Sequence, residues 1–348
     1  YLPALLADLD ADLPLADGRE LVSIFIGGGT PSLMSADFYR RFIAELRLRL
    51  PLAEDIEITL EANPGTVEHD RFEGYREAGI NRLSLGIQSF QSSQLAALGR
   101  IHSGNDAKHA FEQARDAGFD NINLDLMHGL PGQDPALAED DLQQALALGP
   151  DHLSWYQLTL EPNTEFHSHP PALPEEETLW KIQDKGHDQL EAAGFHRYEI
   201  SAYSRPGREA RHNLNYWTFG DYLGIGAGAH GKLSRPGRQG LEIERRWKSR
   251  QPEAYLRRLN DPRGFVAGHQ RIPEQDLVLE FAMNTLRLVE GVPSDTWVRH
   301  TGRSLEQLER SLKEARKKGL LVEDPSHLRA SAQGLLFLND LLAMVSDD

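Results

Sequence analysis

LVSIFIGGGTPS, residues 21–32, runs from six apolar and β-branched positions straight into three glycines, Thr30 and Pro31. The run predicts a strand. Three consecutive glycines leave backbone N–H groups open to close approach by a carboxylate, an amine or a ribose. The segment is neither a Walker A loop, since no GK[ST] follows, nor a GxGxxG fingerprint. Alone, it reads equally well as a plain structural turn. Its weight comes from repetition, because apolar runs recur at Ile56–Glu61, Arg82–Ile87, Asn121–Leu126, His152–Thr159 and Arg197–Ser201. Between them lie amphipathic helical patterns over 35–50, 69–80, 105–119, 136–149 and 175–194. A spacing of about 25–45 residues from run to run is that of βα units joined by right-handed crossovers. Asp134-Pro135 fits a helix start, and Gly79, Gly118, Gly149 and Gly194 fit helix stops.

Six such units build either an open doubly wound sheet or a partial barrel. The strand ends favour the barrel. Nearly every run finishes in glycine or a polar side chain: Gly27–Thr30, Glu61 with Asn63, Gln88, Asp125, Gln157 with Thr159, Glu199 with Ser201. Polar groups at the carboxyl ends of many successive strands converge on one site in a β/α barrel, whereas an open sheet gathers them at one switch point. The fold expected is therefore α/β, a partial (β/α) barrel over residues 1–203.

From about Ser204 the rhythm breaks. Residues 204–272 are rich in Gly, aromatics and Arg, and read as connecting loops with one short apolar strand. Residues 273–348 turn helical again over 276–288, 293–302 and 304–319, then show a hairpin at 320–331 and a last helix over 334–345. This predicts a smaller α+β domain with a winged-helix-like end. Its basic run Arg316-Lys317-Lys318 suits the C-terminal pole of a helix better than DNA, because the chain carries a net charge of −16. That charge opposes phosphate neutralisation and leaves nucleic acid out as an expected partner. None of the 348 residues is cysteine, so disulfides, zinc–thiolate sites, thiol nucleophiles and Cys-ligated clusters are excluded within them. No run approaches the roughly 18 apolar residues that span a bilayer and no signal peptide is read, so the cytoplasm is the expected compartment.

The glycine segment is followed, in order, by LEANPGT (60–66), RLSLGIQSF (82–90), LGRIH (98–102) and LDLMHGLPGQ (124–133), each at or just after a strand end. Together they resemble the coproporphyrinogen oxidase branch of the radical S-adenosylmethionine (SAM) superfamily. The segments HLSWYQLTLEPNT (152–164) and RHNLNYWTFGDYLGIGAGAHG (211–231) resemble more narrowly its haem chaperones. The resemblance implies a partial barrel of radical SAM type, SAM and a [4Fe–4S] cluster as cofactors, and haem as cargo for recipient haemoproteins, with membrane respiratory enzymes among the candidates. A homodimer is a candidate assembly. It implies that Gly28, Gly29 and Thr30 lie along the methionyl group of SAM, that Glu61 and Gln88 contact its polar parts, and that Arg100 meets its carboxylate. Asp125 is implied as the ribose contact. A zwitterionic amino acid joined to a diol calls for such a set of carboxylates, amide and guanidinium. The bland reading of each residue is a buried polar group tying strand to helix.

In HNLNYW (212–217) the resemblance implies a haem site, with His212 the candidate axial ligand and Asn213, Tyr216 and Trp217 around the macrocycle. His230, His128 and His102 compete for that role. The family's cluster motif, CxxxCxxC, sits after a first strand upstream of the position matching Tyr1. The resemblance therefore implies that about one βα unit, on the order of 30 residues, precedes the chain. An exposed sheet edge is expected where that strand belongs, and the chain as it stands is expected not to cleave SAM reductively. The alternative within the family is oxygen-independent coproporphyrinogen III oxidase. From another class, an RNA-binding radical SAM protein would use the C-terminal domain.

Overall fold

A computed structural model of the chain describes residues 1–65, 71–162, 164–237 and 240–346. Positions 69–70 of the expected helix 69–80, Thr66 of LEANPGT and Asn163 of the 152–164 segment lie outside the described residues. Two compact units are present. One comprises Val22–Ile43 and Glu54–Ala210, the other Tyr1–Leu21, Ala44–Ala53 and Arg211–Asp348.

The first unit is organised by a seven-stranded sheet. Its strands are β1 (Leu21–Ile26), β2 (Leu52–Ala62), β3 (Arg82–Gln88), β4 (Ile122–His128), β5 (His152–Gln157), β6 (His196–Glu199) and β7 (Ala202–Ser204), in spatial order β1-β2-β3-β4-β5-β7-β6. β2 to β5 pair in parallel with sequential neighbours. No strand order reverses among them, so there is no switch point, and the sheet curls as a half-barrel. β1 occupies one edge, with Val22 and Phe25 exposed.

Period-2 alternation gives the sheet two chemically different faces. Ile56, Ile58 and Leu60 on β2, Leu83, Leu85 and Ile87 on β3, Ile122, Leu124 and Leu126 on β4, and Leu153 and Trp155 on β5 are all buried. Helices cover this apolar side. The other side carries Glu57, Thr59 and Glu61, then Arg82, Ser84 and Gln88, then Asn123 and Asp125, then His152, Ser154 and Tyr156. A parallel sheet usually buries apolar side chains on both faces; this one reserves a face for polar groups.

Contact between the helix Glu176–Ala192 and the sheet depends on Gly186. A Cβ built there meets the Trp155 ring at 2.0 Å, and that ring is pinned on its other side by His128, 4.2 Å between centroids. Alanine in place of glycine inside a helix ordinarily gains up to about 1 kcal/mol. Here the sign reverses, and Gly186→Ala is expected to cost about 1–3 kcal/mol by overpacking. Urea unfolding reads it; an unchanged or higher midpoint would show that the ring has room to shift.

Two expectations are corrected. The sixth apolar run is not a further parallel βα unit, because β6 and β7 form an antiparallel hairpin and β7, not β6, pairs with β5. The turn is made by Glu199, whose Oε1 accepts from the Ser201 N–H and Oγ–H, while Arg197 donates to the carbonyls of Glu199 and Ile200. Residues 204–272 are not mainly loop. They hold the helix Arg211–Trp217 and an antiparallel sheet of β8 (His230–Gly237), β9 (Gly240–Lys248) and β10 (Val266–Arg271), ordered β10-β9-β8. β9 reads GLEIERRWK, so hydropathy hides it. The cross-strand ion pair Arg271–Glu242 (3.0 Å) and the His269–Glu244 contact (3.4 Å) help match its charges.

The same unit carries the helices Leu277–Thr285, Asp295–Thr301 and Leu305–Lys317, with a bridge between Leu321 and Ala330 at the expected hairpin. β11 (Val292–Pro293) and β12 (His327–Leu328) pair antiparallel. The expected last helix is two, Ala332–Leu336 and Leu338–Ser346, parted at Phe337.

Candidate functional site

The polar face of the half-barrel gathers Gly28, Glu61 and Gln88 at the ends of β1 to β3 with Asp125 in the middle of β4. Gly28 and Gly29 have φ of +85° and +66°, a region that favours glycine; a Cβ would find open space at either. Gly27 is required for another reason. A Cβ there would lie 2.8 Å from the Glu61 carboxylate, so its absence lets Glu61 come up to the turn and accept the Gly28 N–H at 2.9 Å. Thr30 precedes a 3-10 turn, Pro31–Leu33, which its carbonyl closes by accepting from the Leu33 N–H.

Glu61 sits opposite Ser84 in the β2–β3 register, and the Ser84 hydroxyl donates to Asp125 Oδ2 at 3.0 Å. Burial pushes the carboxyl groups of both Glu61 and Asp125 above the ordinary range, and the Asp125 charge pushes Glu61 further. Gln88 closes β3 at φ +71°, a left-handed conformation that costs a non-glycine residue about 1–3 kcal/mol. Its Oε1 accepts from the Tyr156 hydroxyl at 2.9 Å. Arg100 is exposed, and its charge draws the Tyr156 hydroxyl down against burial and the two carboxylates, which push it up. Nearby, the imidazole Nε2 of His102 lies 3.0 Å from the Ile87 carbonyl oxygen, tying this loop to β3.

The donor set suits a cationic, hydroxyl-bearing ligand. Burial raises the proton affinity of both carboxylates, and the Asp125 charge raises that of Glu61 further, so an ammonium or sulfonium beside Glu61 would offset that cost. The amide of Gln88, the Tyr156 hydroxyl and the exposed guanidinium of Arg100 match the polar remainder of an amino acid. SAM therefore fits the residues present. A thiolate-held cluster does not, because the chain has no cysteine. No group of three or more His, Cys, Asp or Glu able to hold a metal occurs among the described residues.

Sequence reasoning stopped at the strand ends and missed the rows beneath them: Ser84, Asn123, His152, Ser154, Tyr156 and Tyr198. The signal was there. Polar residues alternate with apolar ones along β3, β4 and β5, and a polar stripe at period 2 inside an otherwise apolar parallel sheet marks an inward face.

His212, Asn213, Tyr216 and Trp217 lie in the other unit, on the helix Arg211–Trp217. His212 is 8 % exposed, with its ring edge-on to Tyr216 at 6.3 Å. Tyr216 meets Tyr222 at 4.7 Å, and the Arg287 guanidinium lies 4.4 Å over the Trp217 ring. Of the competing histidines, His128 is buried in the sheet unit, and His230 is exposed at the start of β8.

Comparison with known proteins agrees with this fold. Residues 10–145 match the radical SAM superfamily model, and residues 272–337 match the HemN C-terminal domain. The haem chaperone HemW of Escherichia coli is 47 % identical over 344 residues, 99 % of this chain and 89 % of that protein. The chain belongs to the HemW family of radical SAM proteins. The Bacillus subtilis HemW is 34 % identical, covering 98 % of this chain and 89 % of its own length. Among solved structures, coproporphyrinogen III oxidase (HemN) from Escherichia coli superposes with a TM-score of 0.81 at 21 % identity, over 100 % of this chain and 82 % of that one. At that identity the likeness to the oxidase speaks for the fold, a half-barrel followed by a HemN-type C-terminal domain. SAM and a [4Fe–4S] cluster are the cofactors of the superfamily to which the HemW family belongs.

Proposed function

We propose that the chain is a haem chaperone that binds haem and SAM and delivers the haem to recipient haemoproteins. Identity spread along nearly its whole length to a haem chaperone carries this reading. Gly28, Gly29 and Thr30 line the methionyl group, Glu61 holds its ammonium, Arg100 its carboxylate and Gln88 its polar edge, while Asp125 accepts from the ribose hydroxyls. Bound SAM supplies a sulfonium, the group whose bond to the adenosyl carbon radical SAM chemistry breaks. These residues offer no thiolate for a cluster. Residues 1–203 are assigned to SAM, 204–272 to haem, and 273–348 to a C-terminal domain of unassigned partner. The cytoplasm is the proposed compartment, and no described helix is long and apolar enough to cross a membrane. Haemoproteins, membrane respiratory enzymes among them, are the proposed recipients, and a homodimer the proposed assembly.

Haem titration followed by Soret absorbance tests the reading on wild type, His212→Ala and His230→Ala. Saturable 1:1 binding is expected, with the Soret band shifted in the His212 variant alone. Because His212 is buried, ligation requires its helix to part from its neighbours, so slow binding is expected as well. Loss in the His230 variant instead moves the ligand to the exposed start of β8. A wild-type chain that ignores haem overturns the proposal.

A further inference from the structure

We propose that His152, backed by Tyr198, is a positioning residue that sets Asp125 for a ribose diol through the side-chain amide of Asn123. The inference rests on reading Asp125 as the ribose contact. Asn123 is 2 % exposed and His152 1 %, and the amide between them is fully engaged. Asn123 Nδ2 donates to Asp125 Oδ1 at 2.8 Å and to Ser84 Oγ at 2.8 Å. Asn123 Oδ1 lies 2.6 Å from His152 Nδ1 and accepts from the Ser154 hydroxyl at 3.2 Å. His152 Nε2 lies 2.8 Å from the Tyr198 hydroxyl oxygen.

Each link fixes the next. An amide has one donating and one accepting end, so the end facing Asp125 is decided by what faces the other. With the imidazole proton on Nδ1, Asn123 turns its carbonyl to His152 and its NH2 to the carboxylate. With the proton on Nε2, Nδ1 becomes an acceptor and Asn123 must turn over, which sets its carbonyl against the Asp125 carboxylate. The Asp125 carboxylate, which only accepts, holds the Asn123 NH2 toward it and so selects the first arrangement, in which the Tyr198 hydroxyl donates to Nε2. The result is a carboxylate held at both oxygens, by Asn123 and by Ser84, with lone pairs left for two hydroxyls. Burial raises the proton affinity of Asp125, and these donors lower it, so the relay keeps the side chain an acceptor. His152 touches no ligand in this scheme; it acts through Asn123.

The test pairs binding with spectroscopy. Calorimetric titration of the chain with SAM and with its 2′-deoxyribose analogue reads how much affinity the ribose contact supplies. His152→Leu is expected to weaken SAM about tenfold, the loss of one buried hydrogen bond, and to leave the 2′-deoxy analogue nearly unchanged. His152→Asn keeps a donor at the Nδ1 position and is expected to restore most of the difference. Two-dimensional 15N NMR of the imidazole, which needs no ligand, should show the proton on Nδ1 in wild type and on Nε2 in Tyr198→Phe for part of the population. The control is Asp125→Asn. If wild type ignores SAM, or if Asp125→Asn leaves the SAM-to-analogue ratio intact, the ribose reading itself fails. If Asp125→Asn collapses the ratio while His152→Leu does not, or if the imidazole proton sits on Nε2 in wild type, the relay alone is overturned.

Discussion

Lys248→Met is expected to cost about 3–5 kcal/mol of stability, the penalty for leaving a buried charge without its partner. Lys248 and Asp8 are both buried, and the ammonium bonds Asp8 Oδ1 and Asp12 Oδ2, the latter at 2.6 Å. Asp8 and Asp12 stand one turn apart on the helix Leu2–Ala16, so both carboxylates point to one side. Asp8 Oδ2 also accepts from the Tyr255 hydroxyl (2.8 Å) and the Gly226 N–H (3.1 Å). Burial pushes its carboxyl upward, and Lys248 pulls it back. Methionine keeps the aliphatic volume and deletes the charge, leaving buried Asp8 with neutral donors only and Asp12 with Arg246 at 3.4 Å. Urea unfolding at pH 7 measures the loss. The triple variant Lys248→Met/Asp8→Asn/Asp12→Asn should recover much of it, since replacing a whole buried ion cluster is often near neutral. A loss under about 1 kcal/mol in the single variant would mean that water reaches Asp8.

The second large effect is a dependence of stability on pH set by two histidines in the sheet unit. His128 and His187 flank Trp155, with ring centroids 4.2 and 6.1 Å from it. Burial holds each imidazole down to about 4, His128 further by the charge of His187, and His187 further by Arg197. His128 Nδ1 is buried with no hydrogen-bond partner, so a proton there gains nothing. Unfolded, both take protons near 6.5. The folded state therefore binds fewer protons than the unfolded one between pH 6.5 and about 4. Their stabilisation is fully present above 6.5 and is lost as pH falls through that window. The shift corresponds to about 3 kcal/mol for His128 and less for the more exposed His187. Asp141 works the other way. Burial pushes its carboxyl up to about 6 against the hydrogen bonds it accepts from the Ser89 hydroxyl and the Phe90 N–H, so the fold gains from protonating it over part of the same range. Comparing wild type with His128→Leu/His187→Leu cancels Asp141. The double variant should lose markedly less stability between pH 7 and pH 4, and parallel curves for the two proteins would sink the idea.

Particular residues show what could be read early and what could not. The strand–glycine turn at 24–30 and the acids and amide ending successive strands were legible because local rules govern them: β-branched runs make strands, glycine permits positive φ, and polar side chains at strand ends cannot be core. The barrel-like sheet followed from the same marks. The inward row of Ser84, Asn123, His152 and Ser154 was harder. A polar residue in mid-strand reads as a defect until its neighbours across three strands are known to satisfy it. The 204–272 sheet escaped for a related reason, since β9 is a string of charges whose partners sit on β8, on β10 and on the helices Leu2–Ala16 and Leu277–Thr285.

The sequence by itself therefore determined the βα rhythm, the curled sheet, the family and the residues at the strand ends, all of which depend on chemistry within a few positions along the chain. Only the tertiary structure decided that the sixth run doubles back as a hairpin, that Asp8 and Asp12 share one lysine more than two hundred residues away, and that Asn123 joins His152 to Asp125. Those outcomes depend on which polar groups meet after burial. A buried donor or acceptor takes whatever partner the folded backbone brings within hydrogen-bond distance, and no spacing along the chain records that choice.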